Sequence, residues 1–429
     1  MKRNRSIATR ALALVAISSL ALTACGRDAD DSGAEGQGEA VSEGEASGEI
    51  EVWAMGTEGE MLGDFSQSFM DENPDADVKV TAVPWDAAHD KIANAIASGE
   101  TPDVTLVGST WMGEFGQSGG IDPIPEGLVD GGDFFEGAWG SNDVGGTVYG
   151  VPWYVETRVL YYRKDLAEKA GWNEPPQSWD DFKQFTKDLM DKGGAEYGIS
   201  LPPGGTGSWQ TMMPFAWSNG ASLTNEDGTE YTLDSPEMAE ALEYYKSFFD
   251  EGITVAKTMD AGELESGFAD GTYASFISGP WHAGLVEEAG LSKDEYGVAL
   301  LPGPEGSPGT SFVGGGNLAV FADSDNKENA WKYVQWLSDP ETQQGFYDEV
   351  GDLPAVQSAW DSGKLADDPQ LQIFGEQLAS TQAPPSVPTW EEVAGVVDSE
   401  TEKVTRGDLS VEDAIASMQE QASAIGTGL

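Results

Sequence analysis

The sequence predicts an α/β protein of two lobes, each a mostly parallel sheet flanked by helices, and three observations carry that expectation. Short β-type runs alternate with amphipathic helical runs from residue 49 onward. About 380 of the 429 residues follow that point, more than one ordinary hydrophobic core holds. No stretch of 20 to 50 residues recurs, which sets aside solenoids and propellers.

The chain opens on Lys2, Arg3, Arg5 and Arg10, followed by an apolar run from Ala11 to Leu22. That run is too short for a permanent membrane span, so residues 1–24 read as a cleaved export signal. It ends in Leu22-Thr23-Ala24-Cys25, which matches the bacterial lipobox and makes Cys25 a lipidation site. Cys25 is the single cysteine of the sequence, so no internal disulfide competes for it. Residues 25–48 are expected to be the lipidated cysteine and an acidic tether, because Gly, Ala, Ser, Asp and Glu bury too little apolar surface to offset chain entropy.

Glu49–Ala54 is a β-type run. Residues 60–73 carry Met61, Leu62, Phe65 and Phe69 at helical spacing, and Pro74 stops them. Val78–Val83 is a second strand, Ala87–Ser98 a helix closed by Gly99, and Val104–Val107 a third strand. This β-α-β-α-β order argues for parallel pairing. Farther on, Val159–Arg163 reads as a strand, and Ser178 caps a helix bearing Phe182, Phe185 and Leu189 with Asp181 in the capping-box position. Ser235-Pro236 form the expected N-cap and first position of another helix. Strands recur at 273–277, 297–301 and 318–321, helices at 328–337 and 340–349, and the end of the chain is helical in two pieces separated near Gly407.

Charge and residue chemistry exclude several functions. Residues 1–24 hold four of the 22 basic residues and none of the 75 acidic ones, so the chain from Cys25 onward is near −57. Binding nucleic acid through a basic patch is excluded, and self-repulsion on this scale calls for screening by salt or an alkaline habitat. His89 and His282 stand almost two hundred residues apart, so zinc ligation is not expected, and no cofactor is. Asp323-Ser324-Asp325-Asn326 begins like a calcium loop but lacks the glycine and spaced glutamate that complete one. Gly116-Gln117-Ser118-Gly119-Gly120 fits a hydrolase pattern, yet a helix rather than a strand precedes it, which makes Ser118 a helix end. Phosphate-binding loops of the G-x-x-x-x-G-K type are absent, and 75 acids make any carboxylate pair uninformative as a glycosidase signal. An enzyme is not expected.

Several segments resemble, in order, the family-1 extracellular solute-binding proteins of bacterial ABC importers. They are Thr101-Pro102-Asp103-Val104 with Thr110-Trp111; Gly150 to Leu166, the most specific; Ser178 to Phe182; Phe268 to Gly271 with Ile277 to Trp281; Phe312 to Asn317; and Pro388-Thr389-Trp390. The resemblance implies a two-lobed type II binding-protein fold closing on ligand about hinge crossings. Lobe one would be 49–153 plus 314–360 and lobe two 154–313 plus 361–429. It also implies a monomeric lipoprotein outside the cell membrane that hands a sugar to permease subunits.

A sugar ring needs an aromatic plane against its apolar face and carboxylates, amides or Arg around its hydroxyl rim. The cleft loops place such residues together: Glu58, Asp86, Trp111, Trp153, Glu156, Arg158, Trp209, Trp281 and Trp390, with Gly315 for close backbone approach and Asn317 as an amide. The resemblance gives Trp281 and Trp390 stacking roles and Glu156 that of a ligand carboxylate; a hinge ion pair between Glu156 and Arg158 is the other use of those two. Trp331, Trp336 and Trp179 are core residues by their helical settings. Seven such loops suit a di- or oligosaccharide. A cationic or other non-sugar solute on the same fold, and a glycosidase or lectin, are the alternatives.

Overall fold

The computed structural model describes residues 40–306 and 308–429; the expected signal, Cys25 and the tether as far as residue 39 lie outside them. Ten strands form the two main sheets: β1 (Ser47–Met55), β2 (Asp75–Val83), β3 (Val104–Gly108), β4 (Val151–Thr157), β5 (Val159–Arg163), β6 (Ser275–Ser278), β7 (Tyr296–Ala299), β8 (Ser311–Val320), β9 (Leu353–Pro354) and β10 (Thr381–Gln382). The large sheet has the order β9-β4-β8-β3-β1-β2, with β10 on the start of β8. The small sheet is β6-β5-β7.

The parallel expectation holds only for part of this. β1 pairs in parallel with β2 and β3, as the helices between them require. β8, however, runs antiparallel to both β3 and β4, and β5 pairs antiparallel with β6 and β7. The reason is connectivity: β4 carries the chain out toward the small sheet and β8 carries it back, so the two must oppose. The sheets are therefore mixed, not mostly parallel.

The tether expected to reach Gly48 ends sooner. Ala46 is buried, its N–H donates to Asn73 Oδ1 at 2.7 Å, and Ser47 N donates to Asn329 Oδ1 at 3.0 Å before β1 pairs with β2. The expected helix over 60–73 is two, Gly56–Phe65 and Gln67–Glu72. Between them the Ser66 hydroxyl donates to Leu62 O and meets Tyr333 OH, each at 2.6 Å, breaking the run. Ser178 and Ser235 cap their helices by accepting from Asp181 N and Met238 N. Ser118 sits just past the Met112–Gln117 helix and donates to Phe115 O, as a helix end should. The chain closes with helices Trp390–Thr405 and Val411–Ile425.

Two buried clusters make up the core, and the small sheet lends one face to each, Tyr161 and Phe276 to the first and Leu160 and Ile277 to the second. One gathers Ile50, Val52, Leu106, Val155, Leu318 and Tyr333. The other gathers Phe182, Phe185, Met212, Leu242, Phe248 and Val397. Phe312 belongs to the second and Val313 to the first, so β8 crosses between those residues. The expected boundary at 153/154 falls too early, since β4 stays in the large sheet through Thr157. The expected boundary at 360/361 is no break either. The Pro369–Leu378 helix sets Phe374 against Tyr161 at 6.4 Å while Gly375 lies under the Trp360 ring.

Candidate functional site

β4 explains how the site is built. Alternation along a strand sends Trp153, Val155 and Thr157 to the core, where all three are buried. Tyr154 and Glu156 point the other way and remain half-buried. The expectation for Trp153 is thereby corrected: its ring packs 4.6 Å from Phe346 and meets no solvent-facing surface. Its neighbour Tyr154, passed over in the sequence, is the residue that faces the site.

Tyr154 stands among three carboxylates. Burial raises the Glu58 carboxyl, opposed by N–H donation in its own helical turn and by the Tyr154 hydroxyl. Asp352, just before β9, is pushed up to about 8 by burial and then by the charges of Glu58 and Glu156. Its Oδ2 is buried without a hydrogen-bond partner. No alternating pattern or motif marks Asp352 in the sequence; only the fold brings it here. Beside Glu58 lies Trp85. A Cβ placed on Gly56 would be 2.9 Å from Trp85 Nε1 and 3.0 Å from Glu58 Oε2, so the indole edge and the carboxylate converge there.

Trp85 and Trp111 form a half-exposed pair with ring centroids 5.6 Å apart, and His89 meets Trp111 edge-on at 5.3 Å. His89 Nε2 lies 2.9 Å from Glu114 Oε2, which fixes the imidazole behind the indole. Asp86, at the start of the same helix as Trp85, is exposed at the rim.

Trp281, on the loop after β6, is 43% exposed in an otherwise well-covered set of tryptophans. Its ring folds back over Gly279, where any Cβ would overlap it, so glycine is required there. The loop is braced from below: Tyr161 OH donates to Gly279 O at 2.8 Å, and His282 bridges Ser278 Oγ at 2.7 Å and Glu265 Oε1 at 3.1 Å. Burial lowers the His282 pKa, against the opposing pull of Glu265.

Arg158 connects the two sides. It is 5% exposed. Nη1 stands 3.3 Å from Glu156 Oε2, and Nη2 donates to Gln210 Oε1 at 2.6 Å. The guanidinium lies 4.7 Å from the Trp281 ring and 5.1 Å from that of Phe312. Next to Gln210 opens a cavity of about 410 Å³ lined by Thr110, Gly205 to Gly207, Glu391 and Glu402. A larger hollow of about 730 Å³ between Glu136 and Val387 has no aromatic residue in its wall.

Four further expectations are corrected. Trp390 is fully buried and offers no ring face to a ligand; it meets Trp209 at 5.0 Å and 89°, and Trp209, 4% exposed, shows only a small part of itself in the wall of the cavity beside Gln210. Asn317 spends its amide inside the protein, accepting from Asn142 Nδ2 at 3.0 Å and donating to Ser141 Oγ at 3.2 Å. Gly315, at φ 132°, is needed because any Cβ would overlap Tyr154 O where β8 crosses β4, so the close approach is between strands and not to a ligand. The polar and aromatic residues that the structure does bring together are Glu58, Trp111, Glu156, Arg158 and Trp281, joined by Trp85, Tyr154, Gln210 and Asp352.

Residues 55–344 match the family model of bacterial extracellular solute-binding proteins. A putative binding protein of Brucella abortus (strain 2308) is 30% identical over 346 residues, 80% of this chain and 84% of that one. The maltotriose-binding protein of Pyrococcus abyssi is 26% identical, over 82% of this chain and 77% of its own. Among solved structures, the sugar-binding protein MalE of Xanthomonas citri superposes with a TM-score of 0.82 at 32% identity, covering 88% of this chain and 97% of MalE. The chain belongs to the bacterial extracellular solute-binding proteins and has the two-lobed α/β fold of MalE.

Proposed function

We propose that the chain is the extracytoplasmic binding component of an ABC importer, anchored by a lipid on Cys25 to the outer face of the cell membrane. In this reading it works as a monomer, captures a di- or oligosaccharide between its lobes, and passes it unchanged to the permease. The observation that carries the sugar is the open face of Trp281 on Arg158, from which neighbouring groups lead through Glu156, Asp352 and Glu58 to the Trp85–Trp111 pair. Flat aromatic faces suit the apolar side of a pyranose, and the carboxylates suit its hydroxyls. The cavity beside Gln210 leaves room for a further ring. Binding proteins of maltotriose and other sugars among the relatives support the same class.

A second reading is favoured by the acidity of the site: aromatic walls with acids beside them also suit an organic cation. A thermal-shift screen of the purified protein against maltodextrins, other disaccharides and polyamines separates the two. A true ligand at a hundred times its Kd should stabilise the protein by about 2.7 kcal/mol. Shifts with one sugar series support the proposal, and shifts with polyamines alone replace it by the second reading.

A further inference from the structure

Trp281 is the most exposed tryptophan at the site, yet it is not free to choose its plane. Its ring stacks on Arg158, which stacks in turn near Phe312. Phe312 meets Trp209 edge-on at 5.3 Å, and Trp209 meets buried Trp390 at 5.0 Å. A continuous column thus runs from the second core to the open face of Trp281, and Arg158 is its charged link. The same guanidinium faces Glu156 and donates to Gln210, at the start of the Trp209–Ser218 helix. A planar, always-charged fork can serve a ring face and two in-plane acceptors at once, which a lysine cannot. Its Nη1, although 3.3 Å from Glu156 Oε2, makes no aligned hydrogen bond.

We propose that Arg158 is a positioning residue for ligand binding. It holds the stacking plane of Trp281 and the carboxylate of Glu156 in one fixed relation, so that the aromatic and polar halves of the site act as a unit. The proposal rests on the reading that the ligand stacks on Trp281. Trp390 and Trp209 then act through Phe312 as the footing of this column.

The test uses the whole protein labelled with 5-fluorotryptophan, the Trp281 signal being assigned by Trp281→Phe, and maltotriose as the titrated sugar. In ligand-free Arg158→Gln the Trp281 ¹⁹F resonance should move and its solvent isotope shift should grow, as the ring leaves its plane. Maltotriose affinity should fall at least tenfold. The double variant Arg158→Gln/Trp281→Ala should be weaker by much less than the product of the two single effects, because Arg158 acts largely through Trp281. Gln210→Ala, which removes only one partner of the fork, should shift the resonance in the same direction by less; it decides the matter should Arg158→Gln fail to fold. A Trp281 resonance unmoved in these variants, or single effects that simply multiply, overturns the proposal. Absence of maltotriose binding by the wild-type protein counts against the sugar and leaves the resonance to judge Arg158.

Discussion

At the scale of residues, the site sets its carboxyl groups in unlike surroundings. Glu156 faces a guanidinium, whereas Asp352 sits among carboxylates with a buried oxygen that no donor reaches. A carboxyl raised to about 8 in the folded chain from 3.8 binds a proton that the unfolded chain has lost, so it lowers stability progressively as pH rises from about 4 to 8. Asp352→Asn keeps the shape and removes that titration. We expect the variant to gain on the wild type across that range, by on the order of 1–3 kcal/mol at pH 8–9 in urea denaturation. A gain that does not change with pH would contradict the assignment. Residue identity alone suggested Trp153, Trp209 and Trp390 as easily as Trp281, because composition does not say which tryptophan has an open face. Strand parity could have corrected one of them, since Tyr154 and Glu156 share a face that Trp153 cannot.

At the scale of elements, what the sequence made legible was local. Helix caps at Ser178 and Ser235 and strand β5 lie where capping chemistry and apolar pattern place them. The first half of β8 escaped because Gly314, Gly315 and Gly316 read as a loop, glycine being poor in strands. Its glycines answer to β4: Gly315 at φ 132° passes against Tyr154 O, and the register slips between Gly316 and Asn317. Gly315→Ala should therefore cost at least about 1–3 kcal/mol of stability from backbone strain and overlap. It should also disturb Tyr154 and weaken ligand binding; chemical denaturation and a titration check both. Unchanged stability would mean that β8 and β4 do not press together there. The Trp209–Ser218 helix was also missed, since it is apolar on nearly every side and shows no helical stripe.

At the scale of the whole molecule, connectivity rather than propensity decided what could not be foreseen. Parallel pairing was inferred from the first sixty or so residues of the body, 49–107, and it holds there; the opposed run of β4 and β8 depends on where the chain goes for the roughly 150 residues between them. Charge acts at the same scale. A net −53 over 429 residues repels itself in dilute buffer, and surface repulsion is screened once the Debye length falls to about 3 Å near 1 M salt. The melting temperature should rise by several degrees between about 10 mM and 1 M NaCl. A flat profile would mean that the acidic surface carries no stability cost.

The most direct test of the central claim is a calorimetric titration of the wild-type protein and of Trp281→Ala with maltotriose, alongside spermidine. A sugar site built on Trp281 predicts saturable maltotriose binding that Trp281→Ala weakens by about 10- to 100-fold, worth ~1.4–2.8 kcal/mol. Sugar binding that survives Trp281→Ala intact, or spermidine binding with none of sugar, would contradict it.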